Sequence, residues 1–191
     1  MSAKAIVLVL FACICLAGQS AKTRISGDST FAVPDLGFRY TPPPGMKDKT
    51  SAEGIAVRIH AGTYSRKSAQ LILDLSSKDD DTSPEWHQVW IFVFPRAQLP
   101  RVSDIAAKEK MNTALAGPHS TPVGKPHGAS FAGHDFLASE FEQKEPPLTK
   151  HARIFTTICK TQFVSFVLVS NSAQQVSSME ESLRTLDFSA R

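Results

Sequence analysis

Hydrophobic and polar residues alternate along several short stretches of this chain, which is the pattern of half-buried β-strands. In the N-terminal half it predicts a short strand within 31–40, after the break at Pro34, and further strands over 55–59 and 70–75. The stretch 87–94 differs because apolar residues occupy both of its faces. A strand of that kind must be covered on both sides, so we expect it at the centre of the sheet.

The middle of the chain changes to helical spacing. A helix is predicted over 103–116, with Ser103 as its N-cap and with Ile105 and Met111 on its apolar side. The segment 119–133 that follows is rich in Gly, Pro, Ser and His, a composition that predicts a long loop.

The C-terminal third has the clearest pattern. Strands are predicted over 135–143, 152–160 and 163–170, the last two joined by a tight hairpin. A closing helix is expected to begin at Ser172, which stands at capping-box spacing before a glutamine. Its apolar stripe consists of Val176, Met179, Leu183 and Leu186.

This order of elements predicts an α+β fold with a largely antiparallel sheet and two helices packed on it. The need to cover both faces of the central strand leaves open a three-layer α/β/α sandwich, with one helix on each side.

Two parts of the sequence carry a family resemblance. The first is the strand and proline turn over 33–45, VPDLGFRYTPPPG. The second comprises RIFTT over 153–157, the apolar strand 163–169 and SLRTLDF over 182–188. Together they resemble the PsbP-like fold of photosystem extrinsic subunits and of bacterial exported proteins of unknown role. The resemblance implies a small domain that docks on something else, and the family offers no common catalytic residues.

The first 21 residues predict a cleaved signal peptide. Lys4 is their only charge, and the apolar run over 5–17 is shorter than the roughly 20 residues that a transmembrane helix needs. Cleavage would leave a single α+β domain over 22–191, with its core at about 31–188, and no transmembrane anchor.

The predicted cleavage also changes the cysteine count. Of three cysteines only Cys159 would remain, so the mature domain could form no internal disulfide. Glycosylation sequons are absent as well, and together these features favour a bacterial periplasm or envelope, with full secretion left open. Lipidation at Cys13 is a competing interpretation, which the bulky Phe11 disfavours.

Charge excludes one class of partner. The formal net charge of the chain is +3 and basic and acidic residues are mixed along it, whereas nucleic-acid binding needs clustered Lys and Arg. The acidic run 78–81 lacks the spacing and the glycine of a calcium loop, so it is interpreted as a solvated turn.

The histidines are the most suggestive candidates for chemistry. His119, His127 and His134, with the neighbouring Asp135, offer three imidazoles and a carboxylate, donors that suit zinc or copper. Their spacing matches no short ligand motif, and solvated surface histidines are the competing interpretation.

Other candidates are weaker. Trp86, expected to be exposed, is a possible platform for ligand stacking, whereas Trp90 is expected in the core. Cys159 is expected to be a buried, unreactive thiol. Glu140 and Glu142 share a strand face as paired acids do in glycosidases, but a solvated strand end is the favoured interpretation.

These observations favour a non-enzymatic exported domain that binds a partner in the cell envelope, with no cofactor. One alternative is a small-ligand or metal carrier that uses the His-rich segment 119–135. Another is a hydrolase with an unrecognised site, so enzymatic activity stays open.

Overall fold

The computed structural model describes residues 24–25, 30–50, 69–99 and 101–189. The predicted signal peptide and the strand predicted over 55–59 lie outside these residues.

Ten strands form two antiparallel sheets within the described residues. The smaller sheet contains β1 (Arg24–Ile25), β2 (Phe31–Val33) and β3 (Phe38–Tyr40) in that order. The larger contains β4 (Lys47–Asp48), β5 (Gln70–Ser76), β6 (His87–Pro95), β7 (Ser120–Phe131), β8 (His134–Glu145), β9 (Leu148–Cys159) and β10 (Gln162–Ser170). Its order is β4-β5-β6-β10-β9-β8-β7.

Strand β6 lies inside the large sheet between β5 and β10, which confirms its predicted central position. Its odd-numbered residues, such as Val89 and Ile91, pack in one hydrophobic cluster, whereas Trp90 and Phe92 contact a second cluster on the opposite face. The sheet therefore buries apolar side chains on both sides.

Two helices cover these two faces. Helix α1 (Asp104–Ala116) packs on β8, β9 and β10, and helix α2 (Ala173–Glu180) packs on β9 and β10 from the other side, beside the small sheet. Short 3-10 helices lie at Arg96–Gln98, between β6 and α1, and at Glu181–Thr185, directly after α2. The α+β fold with an antiparallel sheet and two helices is confirmed, and it is arranged in three layers.

Details of the helix ends differ from expectation. Ser103 Oγ accepts a hydrogen bond from the amide of Ala106 at 3.4 Å, as predicted for an N-cap. Ser172 makes no such side-chain bond, and its own amide donates to Ser170 Oγ at 3.1 Å. Ile105 was predicted to be on the apolar side of α1, but it is 70% exposed. All four residues of the predicted stripe of the closing helix are buried, but only Val176 and Met179 lie in α2, since Leu183 belongs to the 3-10 helix that follows and Leu186 comes after it.

The predicted loop over 119–133 is wrong, because most of this segment is the long strand β7, paired with β8. Its glycines and prolines are compatible with a strand because β7 is the edge of the sheet, where Pro122 and Pro126 need no ladder partner on their open side. The register shifts between Val123 and His127, around Gly124 with its φ of +77°.

A buried polar cluster fixes α1 to the sheet. The side-chain amide of Asn112, fully buried, donates to Ser139 Oγ at 2.9 Å and to the carbonyl oxygens of Leu137 and Ile154 at 3.1 and 3.3 Å. Thr156 Oγ1 donates to Asn112 Oδ1 at 2.6 Å. Buried polar groups need such partners, so these bonds specify where α1 sits on the sheet.

No helix within the described residues has both the length and the apolar character needed to cross a membrane.

Candidate functional site

Helix α1 is too short to cover the sheet beneath it. Its 13 residues extend about 20 Å, whereas the 12 residues of β9 extend about 40 Å. Beyond Ala116 no described residue covers the sheet, and the loop 77–86 between β5 and β6 forms the opposite wall. The result is a groove between the C-terminal end of α1 and this loop.

The groove has a volume of about 390 Å³. Its floor consists of residues from β6, β9 and β10, and its walls carry polar groups as well as Leu115 and Ala116 of α1. The lining residues are Lys49, Ser76, Asp79, Asp81, Trp86, Gln88, Trp90, Leu115, Ala116, Ser120, Gln143, Lys150, Ala152, Val167 and Val169. This size falls near the lower end of ligand pockets, which range over about 300–1,000 Å³.

Both tryptophans of the chain line this groove. Trp86 is only 5% exposed and packs in the core, whereas Trp90 is half-buried against the same cluster. The expected exposures of the two side chains are therefore reversed. Trp90 stands at 6.5 Å from Phe92, ring centre to ring centre, in an edge-on arrangement that holds the indole in place.

The loop that forms the second wall is tied to the end of β10. Asn171 donates from its side-chain amide to the carbonyl oxygens of Asp81 and Ser83 at 2.8 and 2.7 Å. Ser170 Oγ donates to the carbonyl oxygen of Trp86 at 3.0 Å. These bonds hold the loop in a defined position along the edge of the groove, which is called the rim below.

Ion pairs neutralise the rim. Lys49 Nζ lies 3.0 Å from Asp79 and Lys150 Nζ lies 2.9 Å from Asp81. The hydrogen bond from Lys49, together with the nearby charge of Lys47, holds the pKa of Asp79 below its usual value. The acidic run is thus an exposed turn paired with lysines, and Asp79 stays ionised at neutral pH.

The remaining polar groups of the groove are suited to binding rather than to nucleophilic attack. Gln88 Nε2 donates to Asp74 at 2.6 Å, which orients its amide. The hydroxyls of Ser76 and Ser120 donate to the carbonyl oxygens of Lys78 and Ala116 at 2.6 and 2.5 Å. Among the described lining residues there is no histidine or cysteine, so neither serine has an imidazole base beside it.

The structure does not bring the predicted metal ligands together. His119 precedes β7 and His134 follows it, so roughly 35 Å of strand separates them. His127 lies exposed in β7, and Asp135 points into solvent near the hairpin end. No group of three or more His, Cys, Asp or Glu side chains within the described ranges is arranged to hold a metal ion. The ring of His134 instead stacks on Phe188 at 3.8 Å.

The other candidates of the C-terminal half have structural partners. Glu140 lies 3.2 Å from Arg153, and Glu142 lies 3.4 Å from His151, so each acid pairs across to the neighbouring strand. Cys159 is buried as predicted, and that burial raises its pKa to about 11.

Sequence reasoning missed Trp90, Gln88 and Lys150 as parts of one site. A signal was present in β6, where alternation puts Gln88 on the same face as Trp90. A polar residue next to a large aromatic residue, on the same face of a buried strand, is typical of the place where that face is no longer fully covered by other side chains. Lys150 gave no such signal, because its partner Asp81 is 69 residues away.

Comparison with known proteins gives likeness of fold alone. No protein-family profile matches the chain, and no curated protein matches it in sequence. A crystal structure from Bacteroides thetaiotaomicron VPI-5482 matches with a TM-score of 0.49 at 13% identity. It covers 87% of this chain, which spans only 49% of that longer chain.

Two further solved structures are similar. The cyanobacterial PsbP (CyanoP) of Synechocystis sp. PCC 6803 matches with a TM-score of 0.49 at 11% identity, over 85% of this chain and 94% of its own. LpqN of Mycobacterium tuberculosis, described as involved in cell envelope biogenesis, matches with a TM-score of 0.41 at 10% identity, over 82% and 80%. A PsbP is thus among the structures that the fold resembles, as the resemblance over 33–45 and 153–188 predicted.

Proposed function

We propose that this chain is an exported, non-enzymatic binding domain, and that the groove beside Trp90 holds its partner. The observation that carries the proposal is the half-buried indole of Trp90 on the floor of a groove of about 390 Å³. Concave sites that combine an aromatic surface with a few polar groups are typical of ligand binding.

The chemistry of the groove supports binding over catalysis. Glycoside hydrolysis needs one carboxyl group that is protonated near neutral pH, with its pKa raised. Asp79 has a lowered pKa and therefore favours the ionised form, and Asp81 is engaged by Lys150 at 2.9 Å. Among the described lining residues, no imidazole lies beside Ser76 or Ser120 to act as the base for nucleophilic catalysis.

The metal-carrier alternative has less support. Its four candidate ligands are spread along β7 and the start of β8 instead of converging on one point. The exported location and the envelope partner remain parts of the proposal that rest on residues 1–21. N-terminal sequencing of the protein from its host's envelope and medium tests export, and a chain that begins at residue 22 is expected.

Native mass spectrometry of the protein from its own host tests the groove. Ala152 lines the floor and is half-buried, so Ala152→Phe fills the groove. Ala173→Phe adds the same ring on the exposed start of α2 and is the matched control. The wild type and Ala173→Phe should carry an additional mass that Ala152→Phe lacks. A bare wild-type mass, or an added mass equal in all three, contradicts the proposal.

A further inference from the structure

We infer that the groove binds a neutral saccharide, with one face of a sugar ring stacked on Trp90. This inference rests on the proposed function and names the chemical class of its ligand. It follows from the aromatic floor, the polar groups and the charge balance of the groove.

The aromatic floor fits a sugar ring. One side of a pyranose ring presents C–H groups, and a fixed, partly exposed indole offers a flat apolar surface of similar size. Trp90 has this exposure, and its contact with Phe92 restricts its orientation. Trp86 cannot serve in this way, because it is 5% exposed and Lys150 Nζ lies over its ring at 5.4 Å from the centre.

The polar groups around Trp90 match hydroxyl groups. A sugar hydroxyl both donates and accepts hydrogen bonds, so its site needs acceptors and donors together. The carboxylates of Asp79 and Asp81 supply acceptors, and Lys49 supplies donors. The amides of Gln88 and Gln143 supply both kinds of group.

The charge balance argues for a neutral ligand. Of the described residues, two lysines and two aspartates line the groove, and they form the pairs Lys49–Asp79 and Lys150–Asp81. An anion such as phosphate would have to compete with these carboxylates, and a cation with the lysines. A neutral ligand disturbs neither pair. The volume of about 390 Å³ limits it to a short saccharide, about one or two rings.

Saturation-transfer NMR on the exported protein tests this inference, because it observes the ligand and works equally for Trp90 variants. The probes are cellobiose, lactose and N,N′-diacetylchitobiose, with inorganic phosphate as the anionic comparison. At least one disaccharide should bind saturably, with transfer strongest to the protons of one ring face. Trp90→Leu, which keeps an apolar side chain but removes the flat ring, should weaken binding about tenfold, and Trp90→Phe should retain most of it.

Binding of none of the three disaccharides, or binding of phosphate alone, overturns the inference. Equal binding by wild type and Trp90→Leu overturns it as well. Native mass spectrometry separates this failure from that of the proposed function. An added mass that Ala152→Phe removes, without saccharide binding, leaves the groove as the binding site and rejects only the sugar. Circular dichroism and thermal unfolding show whether each variant is folded.

Discussion

The ammonium group of Lys150 lies 5.4 Å from the centre of the Trp86 ring. The same ammonium lies 2.9 Å from the carboxylate of Asp81, in the loop that forms one wall of the groove. Because Lys150 is on β9, it connects the floor of the groove with this wall. The Lys150 side chain is only 19% exposed, so both interactions are partly shielded from water.

Replacing Lys150 should loosen this wall. Lys150→Met keeps the aliphatic stem but removes the charge, and we expect the free energy of unfolding to fall by about 1 kcal/mol. The emission of Trp86, measured in a Trp90→Phe background, should shift to longer wavelength as its cover is lost. Lys144→Met, at an exposed position of the neighbouring β8, is the control. An equal effect of the two substitutions would show that the Trp86 contact contributes nothing.

The buried amide of Asn112 should be essential for docking of α1. Asn112→Asp replaces a donor to Leu137, Ser139 and Ile154 with a carboxylate that cannot donate to their oxygens. We expect a loss of about 3 kcal/mol in the free energy of unfolding, measured in urea. Thr113→Ala, one residue further on the exposed side of α1, should cost less than about 0.5 kcal/mol. Similar values for both would contradict the role of the polar cluster.

Stability should decline at alkaline pH because of Tyr40. Burial raises the pKa of Tyr40 well above 10, although its hydrogen bond to Ser182, at 2.7 Å, opposes part of that rise. Above pH 10 the unfolded chain therefore releases a proton that the native state retains, and the free energy of unfolding falls as pH rises. The contribution is fully present below pH 10 and is lost above it.

Two variants isolate this effect. In Tyr40→Phe the decline between pH 10 and pH 11 should be shallower than in the wild type by up to about 1.4 kcal/mol per pH unit. Ser182→Ala removes the hydrogen-bond partner but keeps the titrating group, so its decline should remain. Urea unfolding at a series of pH values measures both. An unchanged slope in Tyr40→Phe would mean that another group causes the decline.

Cys159 should be inert in the native protein. Its thiol is buried with a pKa of about 11, so at neutral pH about one molecule in 10⁴ carries the thiolate. The reaction of Cys159 with Ellman's reagent is the difference between the wild type and Cys159→Ala. This difference should appear only after unfolding. Ser177→Cys puts a thiol on the exposed side of α2 and should react at once. Rapid native labelling of Cys159 would contradict its burial.

Local pattern was sufficient for most of the fold. The two-faced apolar stretch over 87–94 predicted a central strand, and the stripe from Val176 to Leu186 predicted a helical segment with a buried face. The segment 119–133 failed because composition does not reveal an edge strand. Glycine and proline disfavour a strand in general, but at an edge with a bulge, as at Gly124, pairing with β8 on one side is enough.

The candidate site was less predictable because it depends on contacts between distant segments. The histidines were predicted metal ligands because they are close in sequence. Since β7 is an extended strand, however, His119 and His134 lie at its opposite ends. The groove arises from the mismatch in length between α1 and β9, and from a loop held by Asn171, 90 residues from Asp81. Neither relationship is encoded in any short motif.

The indole N–H resonances provide the most direct test of the groove as the binding site. The chain has two tryptophans, so a ¹H–¹⁵N NMR spectrum assigns one indole signal to each by comparison with Trp90→Phe. On titration with a small-molecule fraction of the host envelope, the Trp90 indole and the amides of Ala152 and Val169 should shift together. Shifts concentrated in 119–135, or an unchanged spectrum, would contradict the account.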